Sequence, residues 1–147
     1  MRYEHGFTLI ELLLTLSSIT LILSISGAFT LKTVDQIQFN NFIEQWNRNL
    51  LYLQQANMTS TEKYAIYFDQ TNRRFIVRNG SLGEIKLVQQ YPNNWEIETN
   101  TLKFPILTSN SGNLNSPGKM KITTLISRYS ITCPFGKSRC YYEKNVS

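Results

Sequence analysis

Glu11 is the most informative ionisable residue of this sequence, because it is the only charged residue between Phe7 and Leu31. A run of that length and apolarity can cross a bilayer as a helix, for which about 20 residues are needed. A carboxylate near the edge of such a span costs roughly 2–3 kcal/mol or more unless it is paired. The sequence therefore predicts a partner for Glu11 that is supplied later.

The segment around this residue, Gly6-Phe7-Thr8-Leu9-Ile10-Glu11-Leu12-Leu13, resembles the processing site of type IV pilins and pseudopilins. In that family a prepilin peptidase cuts after the glycine and methylates the new N-terminus. The resemblance implies a leader of residues 1–6, cleavage between Gly6 and Phe7, and N-methylation of Phe7. It also implies that Glu11 meets the N-terminal amine of a neighbouring subunit during filament assembly. A carboxylate and an ammonium attract strongly where the dielectric constant is low.

The same resemblance implies a set of partners and a location. The partners are the prepilin peptidase, other pilin or pseudopilin subunits, an assembly platform protein of the membrane, and the membrane itself before assembly. The chain would cross the cell membrane once, with its N-terminus in the cytoplasm, and later reach a pseudopilus at the cell surface. The alternative is a signal peptide, with a small-residue cleavage site at Ser24–Ala28, or a plain membrane anchor. Neither alternative accounts for Glu11.

Few residues of this chain are suited to catalysis. The only histidine, His5, lies in the implied leader, so the mature chain would lack Ser-His and Cys-His nucleophilic chemistry and His-ligated zinc sites. Gly80–Gly83 is not followed by the Lys-Ser/Thr pair of a phosphate-binding loop. Glu96 and Glu98 could form a carboxylate pair on one face of a strand, although a solvated strand face is the simpler interpretation. We therefore expect a protein that is not an enzyme and has neither cofactor nor metal.

Cys133 and Cys140 are the only cysteines, and the residues between them have the pattern of a hairpin loop. Facing positions of a hairpin can be bridged when the register is right. The domain is expected outside the cytoplasmic membrane, where disulfides persist. We expect a disulfide that stiffens the terminal hairpin. Two free thiols or a metal site are the alternatives.

The composition is that of a folded, moderately basic protein. Hydrophobic residues make up 41% of the 147, which excludes a disordered chain, and the net charge of +5 permits anionic partners. The basic residues gather in three clusters with aromatic residues among them, an arrangement that could bind a DNA backbone with some base stacking. The alternative is that these cations decorate exposed strands and protect sheet edges. The clusters that supply the candidate DNA contacts are Arg73, Arg74 and Arg78; Lys119, Lys121 and Arg128; and Lys137, Arg139 and Lys144.

A long helix is predicted for the first part of the chain. Residues 35–58 contain no Gly or Pro, and their apolar side chains recur every three or four residues, as in an amphipathic helix. No turn signal precedes them, so we expect one helix over 7–58, with residues 7–31 as the membrane or filament-core half and 32–60 as the amphipathic half. Gly27 is a point where this helix could bend or melt, or pack closely on another helix. The apolar stripe comprises Phe39, Phe42, Ile43, Trp46, Leu50, Leu53 and Ala56, and the polar face comprises Asn40, Asn41, Glu44, Asn47 and Arg48.

Short strands are predicted for the rest of the chain, which forms a β domain over residues 61–147. Turn signals such as Asn79-Gly80 separate the apolar runs, and Ser109–Gly118 is expected to be a loop. One long helix packed on a small antiparallel β-sheet is an α+β arrangement, and it matches the pilin-like fold. The expected strands are Tyr64–Phe68, Arg73–Arg78, Ile85–Tyr91, Trp95–Glu98, Leu102–Ile106, Lys119–Ile126, Tyr129–Cys133 and Arg139–Glu143.

Within the pilin-like family, the chain most resembles competence pseudopilins of the ComGD type, and its layout is similar to that of the GspH/FimT group of minor pseudopilins. The resemblance rests on Gln54-Gln55-Ala56, Gly112–Asn115, Gly118–Ile122 and the Gly136-Lys137 turn. It implies a minor subunit of a filament that brings DNA to the cell envelope during transformation. The alternatives are a minor pseudopilin of a type II secretion system, an adhesion pilus subunit, and a membrane-anchored binding domain that does not polymerise.

Overall fold

The computed structural model describes residues 8–136 and 139–145, with the side chains of residues 25–30 left out. The cleavage site Gly6-Phe7 and the basic residue Lys137 lie outside the described residues. Within them the chain forms one long helix followed by eight strands. The expected α+β class with antiparallel strands is confirmed.

Helix α1 spans Leu9–Thr59 and has 51 residues, which corresponds to roughly 75 Å at 1.5 Å per residue. It begins at Leu9 because Thr8 caps it: the Thr8 hydroxyl accepts a hydrogen bond from the Glu11 N–H at 3.4 Å. It ends where the Ser60 N–H donates to the Ala56 carbonyl at 2.9 Å. The helix is continuous through residue 27, as expected for a chain without a turn signal there.

The two halves of α1 have different surroundings. Residues 8–24 and 31–34 are exposed, and burial begins at Asp35. From there the predicted apolar stripe faces the β domain and fills its core, with the Trp46 ring edge-on to Phe75 at 4.8 Å between ring centres. The stripe is therefore confirmed as the buried face: Phe39, Phe42, Ile43, Trp46, Leu50 and Leu53 are buried, and Ala56 is partly buried against them.

Two four-stranded antiparallel sheets pack on α1, where the sequence analysis expected one. The first sheet has the strand order β3-β2-β1-β5 and the second β4-β6-β7-β8. Neighbours in a sheet are thus not always neighbours in the chain, since β5 pairs with β1 and β4 pairs with β6. The strands are β1 Tyr64–Asp69, β2 Arg74–Asn79, β3 Ile85–Gln90, β4 Glu96–Glu98, β5 Ile106–Leu107, β6 Gly118–Thr123, β7 Arg128–Cys133 and β8 Tyr141–Asn145.

Two of the expected strands differ most from the observed ones. The strand expected over Lys119–Ile126 ends at Thr123, and residues 124–127 form a tight turn instead. The strand expected over Leu102–Ile106 is replaced by the two-residue strand β5, which shares only Ile106 with it. Pro105 precedes β5 and has no N–H to donate to a ladder.

Buried amides attach α1 to the first sheet. Asn57 donates through Nδ2 to the Tyr64 carbonyl at 2.9 Å and to the Thr108 hydroxyl at 2.8 Å, and its Oδ1 accepts from the Tyr64 N–H at 2.7 Å. Gln89 of β3 donates to the Phe42 carbonyl at 2.9 Å. These polar groups are paired where they are buried, which avoids the cost of unsatisfied donors and acceptors.

Polar contacts also attach α1 to the second sheet. Asn47, predicted to lie on the polar face, is half-buried and forms two hydrogen bonds with the backbone of Cys140. Its Nδ2 donates to the Cys140 carbonyl at 3.2 Å and its Oδ1 accepts from the Cys140 N–H at 2.9 Å. The predicted polar side of α1 is therefore in contact with the β domain at Asn47, because the chain leading into β8 crosses that side of the helix. Nearer the N-terminus, the Thr124 hydroxyl donates to the Asp35 carboxylate at 2.8 Å.

Candidate functional site

The most unusual surface of the molecule is the exposed N-terminal part of α1, called here the apolar arm and defined as residues 9–24. Its large aliphatic side chains are between 52% and 79% exposed. Contiguous apolar surface beyond a few hundred Å² marks an interaction site in a soluble protein or a contact with lipid. The exposed residues are Leu9, Ile10, Leu12, Leu13, Leu14, Leu16, Ile19, Leu21, Ile22 and Leu23.

The hydroxyl groups of the apolar arm are all turned back onto its own backbone. Each donates to a carbonyl three or four residues earlier, at 2.8–2.9 Å. A helix whose side-chain donors are satisfied internally can be buried in lipid or among other helices without leaving unpaired polar groups. The residues concerned are Thr15, Ser17, Ser18, Thr20 and Ser24.

Glu11 lies in the first turn of α1, where the helix dipole stabilises a carboxylate. It forms a capping pair with Thr8: the Glu11 N–H donates to the Thr8 hydroxyl, and that hydroxyl lies 3.4 Å from Glu11 Oε2. This pair is absent from the sequence-based predictions, although Thr-x-x-Glu before an apolar run is a known signal for a helix start. Among the described residues no cation forms an ion pair with Glu11.

The first basic cluster is largely engaged within its own domain. Arg74 Nε donates to the Asp69 carboxylate at 2.9 Å. The pKa of Asp69 is lowered, first by a hydrogen bond from the Asn72 side chain and then by the bond from Arg74. Arg73 donates to a backbone carbonyl of the β3–β4 loop at 3.2 Å, and the guanidinium of Arg78 lies over a tyrosine ring, 4.2 Å from its centre. The three arginines just before β2 and within it are therefore only half-exposed and already have partners.

The second basic cluster lies on the outward face of the second sheet among acidic residues. Lys121 Nζ is 3.6 Å from the carboxylate of Glu98, which is its neighbour across the β4–β6 pair. Glu96 is on the same face of β4, as expected, so the two glutamates belong to a mixed-charge strand face and do not form an isolated pair. Lys119 and Arg128 are exposed.

The third basic cluster is divided between two environments, and Lys137 lies outside the described residues. Arg139 is exposed beside the hairpin, whereas the Lys144 ammonium lies 5.8 Å from the centre of the Tyr129 ring. The candidate DNA contacts are thus distributed over both sheets. Among the described candidates, the exposed residues are Lys119, Arg128, Arg139 and Lys144.

Cys133 and Cys140 form a disulfide, with their Cα atoms 4.2 Å apart. Both are buried, and the Trp46 indole N–H lies 3.3 Å from the sulfur of Cys140. The bridge therefore belongs to the core between α1 and the second sheet. It ties the start of β8 to the end of β7 and has no exposed sulfur for chemistry.

A search of family models, of curated proteins and of solved structures finds no match to this chain. In the part of the chain that the structure describes, no helical segment combines the length and the apolarity required to cross a membrane. Over the same residues, no three potential His, Cys, Asp or Glu ligands lie together as a metal site would require. The interpretation of the site therefore rests on the geometry of the chain itself.

Proposed function

We propose that this chain is a minor pilin-like subunit that is held in the membrane by its N-terminal helix and then assembles into a filament through the same helix. The observation that carries the proposal is the apolar arm, which is exposed on every side and continuous with the helix that holds the β domain. A helix that is hydrophobic all round is stable when it is buried among other apolar groups. The role is structural, and no catalytic group is needed for it.

The apolar arm is stable both in lipid and in a helix bundle, because either one shields it from water. Burying one Leu or Ile side chain away from water contributes about 1.5–3 kcal/mol. Covering four of them in a bundle would therefore avoid a cost of about 6–12 kcal/mol in a filament surrounded by water, whereas the passage from lipid to bundle is driven by packing and polar contacts between helices. The internally bonded hydroxyls of the arm add no desolvation cost to this burial.

Retention in the membrane before assembly is proposed for the whole run from Phe7 to Leu31. Phe7 and the side chains of residues 25–30 belong to this run but lie outside the described part of the chain. The full run has one charged residue, and as a helix it would be roughly 37 Å long. The hydrocarbon core of a bilayer is about 30 Å thick, so this length is sufficient for a tilted span.

Glu11 would act during the transfer from membrane to filament. Its capping pair with Thr8 keeps the carboxylate at the start of the helix. A buried carboxylate without a cation is costly, whereas a neighbouring subunit's N-terminal ammonium would neutralise it. This pairing would set the position of one subunit along the next, since only one offset brings the two charges together. The N-terminal ammonium would be produced by cleavage between Gly6 and Phe7 by a prepilin peptidase.

We further propose that the filament serves DNA uptake in transformation. Support comes from the net charge of +5 and from the exposed cations Lys119, Arg128 and Arg139, which could contact phosphates. The arginines of the first cluster are less suited to this role because they already have partners in the domain. The tests below distinguish this function from three alternatives: a type II secretion filament, an adhesion pilus, and an anchored domain that does not polymerise.

The assembly proposal is tested by Glu11→Ala in the full chain, with Glu44→Ala as the matched control on the same helix. Glu44 is exposed and pairs with Arg48 one turn away, outside the arm. The measurement is the fraction of the protein recovered in sheared filaments. We expect Glu11→Ala to lower that fraction about tenfold or more, since 1.4 kcal/mol already corresponds to a factor of ten. Incorporation equal to that of Glu44→Ala would rule out the pairing.

The role in DNA uptake is tested by transformation of a strain that lacks the gene. Loss of transformation, restored by the wild-type chain and not by Glu11→Ala, is the expected result. Normal transformation of the deletion strain would remove the competence role. It would leave the pilin-like assembly in place and direct attention to secreted proteins and adhesion.

A further inference from the structure

The turn between β6 and β7 carries two large aliphatic side chains at its tip. Leu125 is 68% exposed and Ile126 is 45% exposed. Turns of four residues normally present Gly, Pro, Asn, Asp or Ser, because these residues suit the backbone and solvent. Leucine followed by isoleucine at a solvent-facing tip lowers solubility. Exposed apolar side chains of this kind indicate a surface that another apolar surface covers. This turn is not used by the assembly mechanism proposed above.

The turn is held rigidly against α1. Within it, the Thr124 N–H donates to the Ser127 carbonyl at 2.9 Å, and the Ser127 N–H donates to the Thr124 hydroxyl at 3.0 Å. The Thr124 hydroxyl also lies 2.8 Å from the buried Asp35 carboxylate, to which it donates. The aliphatic tip is therefore fixed at the point where α1 leaves the β domain.

The turn continues the apolar surface of the helix. Leu31 lies four residues before Asp35, on the same face of α1 and about one turn, roughly 5–6 Å, toward the N-terminus. Leu31 and Val34 are both exposed. The two tip residues on one side of the Thr124–Asp35 hydrogen bond, and Leu31 and Val34 on the other, are called here the basal rim.

Cations flank the basal rim. Lys32 follows Leu31 on the helix, and Arg128 follows the turn at the start of β7; both are exposed. Arg128 of β7 lies opposite Thr123 of β6, and Thr123 lies opposite Glu96 of β4. Glu96 is therefore two strands away from Arg128. Aliphatic side chains at a convex tip with Lys and Arg beside them are the groups that bind the boundary between lipid headgroups and acyl chains.

We propose that the basal rim docks on the outer surface of the membrane before assembly, with Leu125 and Ile126 inserted at the headgroup level and Lys32 and Arg128 facing lipid phosphates. The inference rests on the proposed membrane retention of the run that ends at Leu31. If that run spans the bilayer, Asp35 lies only about 6 Å beyond its end at 1.5 Å per residue. The turn attached to Asp35 then lies at the lipid surface.

Such docking would give the subunit a second attachment to the membrane. A single helix anchor leaves a domain free to rotate about the helix axis and to tilt. A second contact on one side of the helix restricts both motions. The subunit would then present one defined face to the growing filament, and the basal rim would leave the lipid when the subunit is extracted.

The test uses Leu125→Trp in the full chain, with Leu82→Trp as the matched control. Leu82 is 93% exposed in the turn between β2 and β3. The two native tryptophans, Trp46 and Trp95, are buried and provide a constant background. Each variant is reconstituted in vesicles of phosphatidylcholine and phosphatidylglycerol whose acyl chains carry bromine, which quenches nearby tryptophan. Co-flotation with the vesicles is measured first, and circular dichroism compares the fold of each variant with the wild type.

We expect both variants to float with the vesicles and only Leu125→Trp to lose about half or more of the added emission, since interfacial side chains lie roughly 5–10 Å deep. Ile126→Trp repeats the measurement at the second tip position. Flotation with equal quenching of the tip and control variants would overturn the docking and leave the membrane retention intact. Failure to float would overturn the membrane retention and the docking with it. Docking on a neighbouring subunit would appear as tip variants that stay unquenched and whose emission shifts to shorter wavelength only at high protein-to-lipid ratio, and this result would also overturn docking on lipid.

Discussion

Asn57 is the residue whose removal tests the packing of α1 most directly. It is 2% exposed and makes three hydrogen bonds at 2.7–2.9 Å, two to the backbone of Tyr64 and one to the hydroxyl of Thr108. It therefore connects the last turns of the helix to β1 and to the chain that follows β5. The substitution Asn57→Ala removes all three bonds and adds no new polar group.

The expected cost follows from the groups that the substitution leaves behind. The Tyr64 N–H and carbonyl lose a buried partner, and each buried group without a partner costs about 1–3 kcal/mol. The Thr108 hydroxyl can rotate toward another acceptor, so it adds little. We expect the free energy of unfolding to fall by about 2–6 kcal/mol, a large part of the roughly 5–15 kcal/mol that is typical of a domain.

The measurement is urea unfolding of the full chain in a mild non-ionic detergent, followed through the fluorescence of the two buried tryptophans. Asn41→Ala is the control, because Asn41 is exposed on the same helix and gains the same helix propensity. A loss of 3 kcal/mol would move the midpoint by about 1–2 M urea at an ordinary dependence on denaturant. If Asn57→Ala stayed within about 0.5 kcal/mol of Asn41→Ala, the amide would not be holding the helix to the sheet.

Three further changes test other parts of the structure. Replacing Cys133 and Cys140 together by serine should lower the free energy of unfolding by about 2.5 kcal/mol, the chain-entropy value for so short a loop, as measured by the same urea titration. Gly118→Ala should cost about 1–3 kcal/mol, because its Cβ would lie 2.5 Å from the Leu102 Cα, and equal stability would contradict this close approach. Asp69→Asn should be less stable than the wild type at neutral pH. The pKa of Asp69 is lowered in the folded state by an asparagine amide and an arginine guanidinium. The difference in stability should therefore disappear as the pH falls from the ordinary Asp pKa of 3.8 through the lower folded-state pKa. A difference that does not depend on pH would contradict this reasoning.

Much of the local structure could be predicted because it depends on short-range patterns. The spacing from Phe39 to Leu53 identified the buried face of α1, since side chains three or four residues apart share a helix face. Most strands were placed within a few residues of their observed bounds, because apolar runs and turn signals alternate along the β domain. The proximity of Cys133 and Cys140 followed from the short loop between them.

The errors have a common physical cause, which is contact with a distant part of the chain. Leu125 and Ile126 continue the apolar run of β6, and Ile126 has high strand propensity. Thr124 nevertheless closes a turn there because its hydroxyl is held by Asp35, far away in sequence. Asn47 fits the polar side of a helical wheel, yet the segment that enters β8 crosses that side and uses the amide. Neither contact has a signal in the neighbouring residues.

The sequence by itself determined the α+β class, the faces that are buried, and the position of Glu11 as the single charge of a long apolar run, because these depend on residue types at short spacing. The tertiary structure decided which strands pair, and it divided them into two sheets with β5 beside β1 and β4 beside β6. It also decided which cations remain exposed, since Arg74 and Arg78 find partners only after their strands meet others. Pairing between distant strands depends on the core that both sheets share with α1. The core is closely packed in one strand register, and the other registers would leave cavities or clashes.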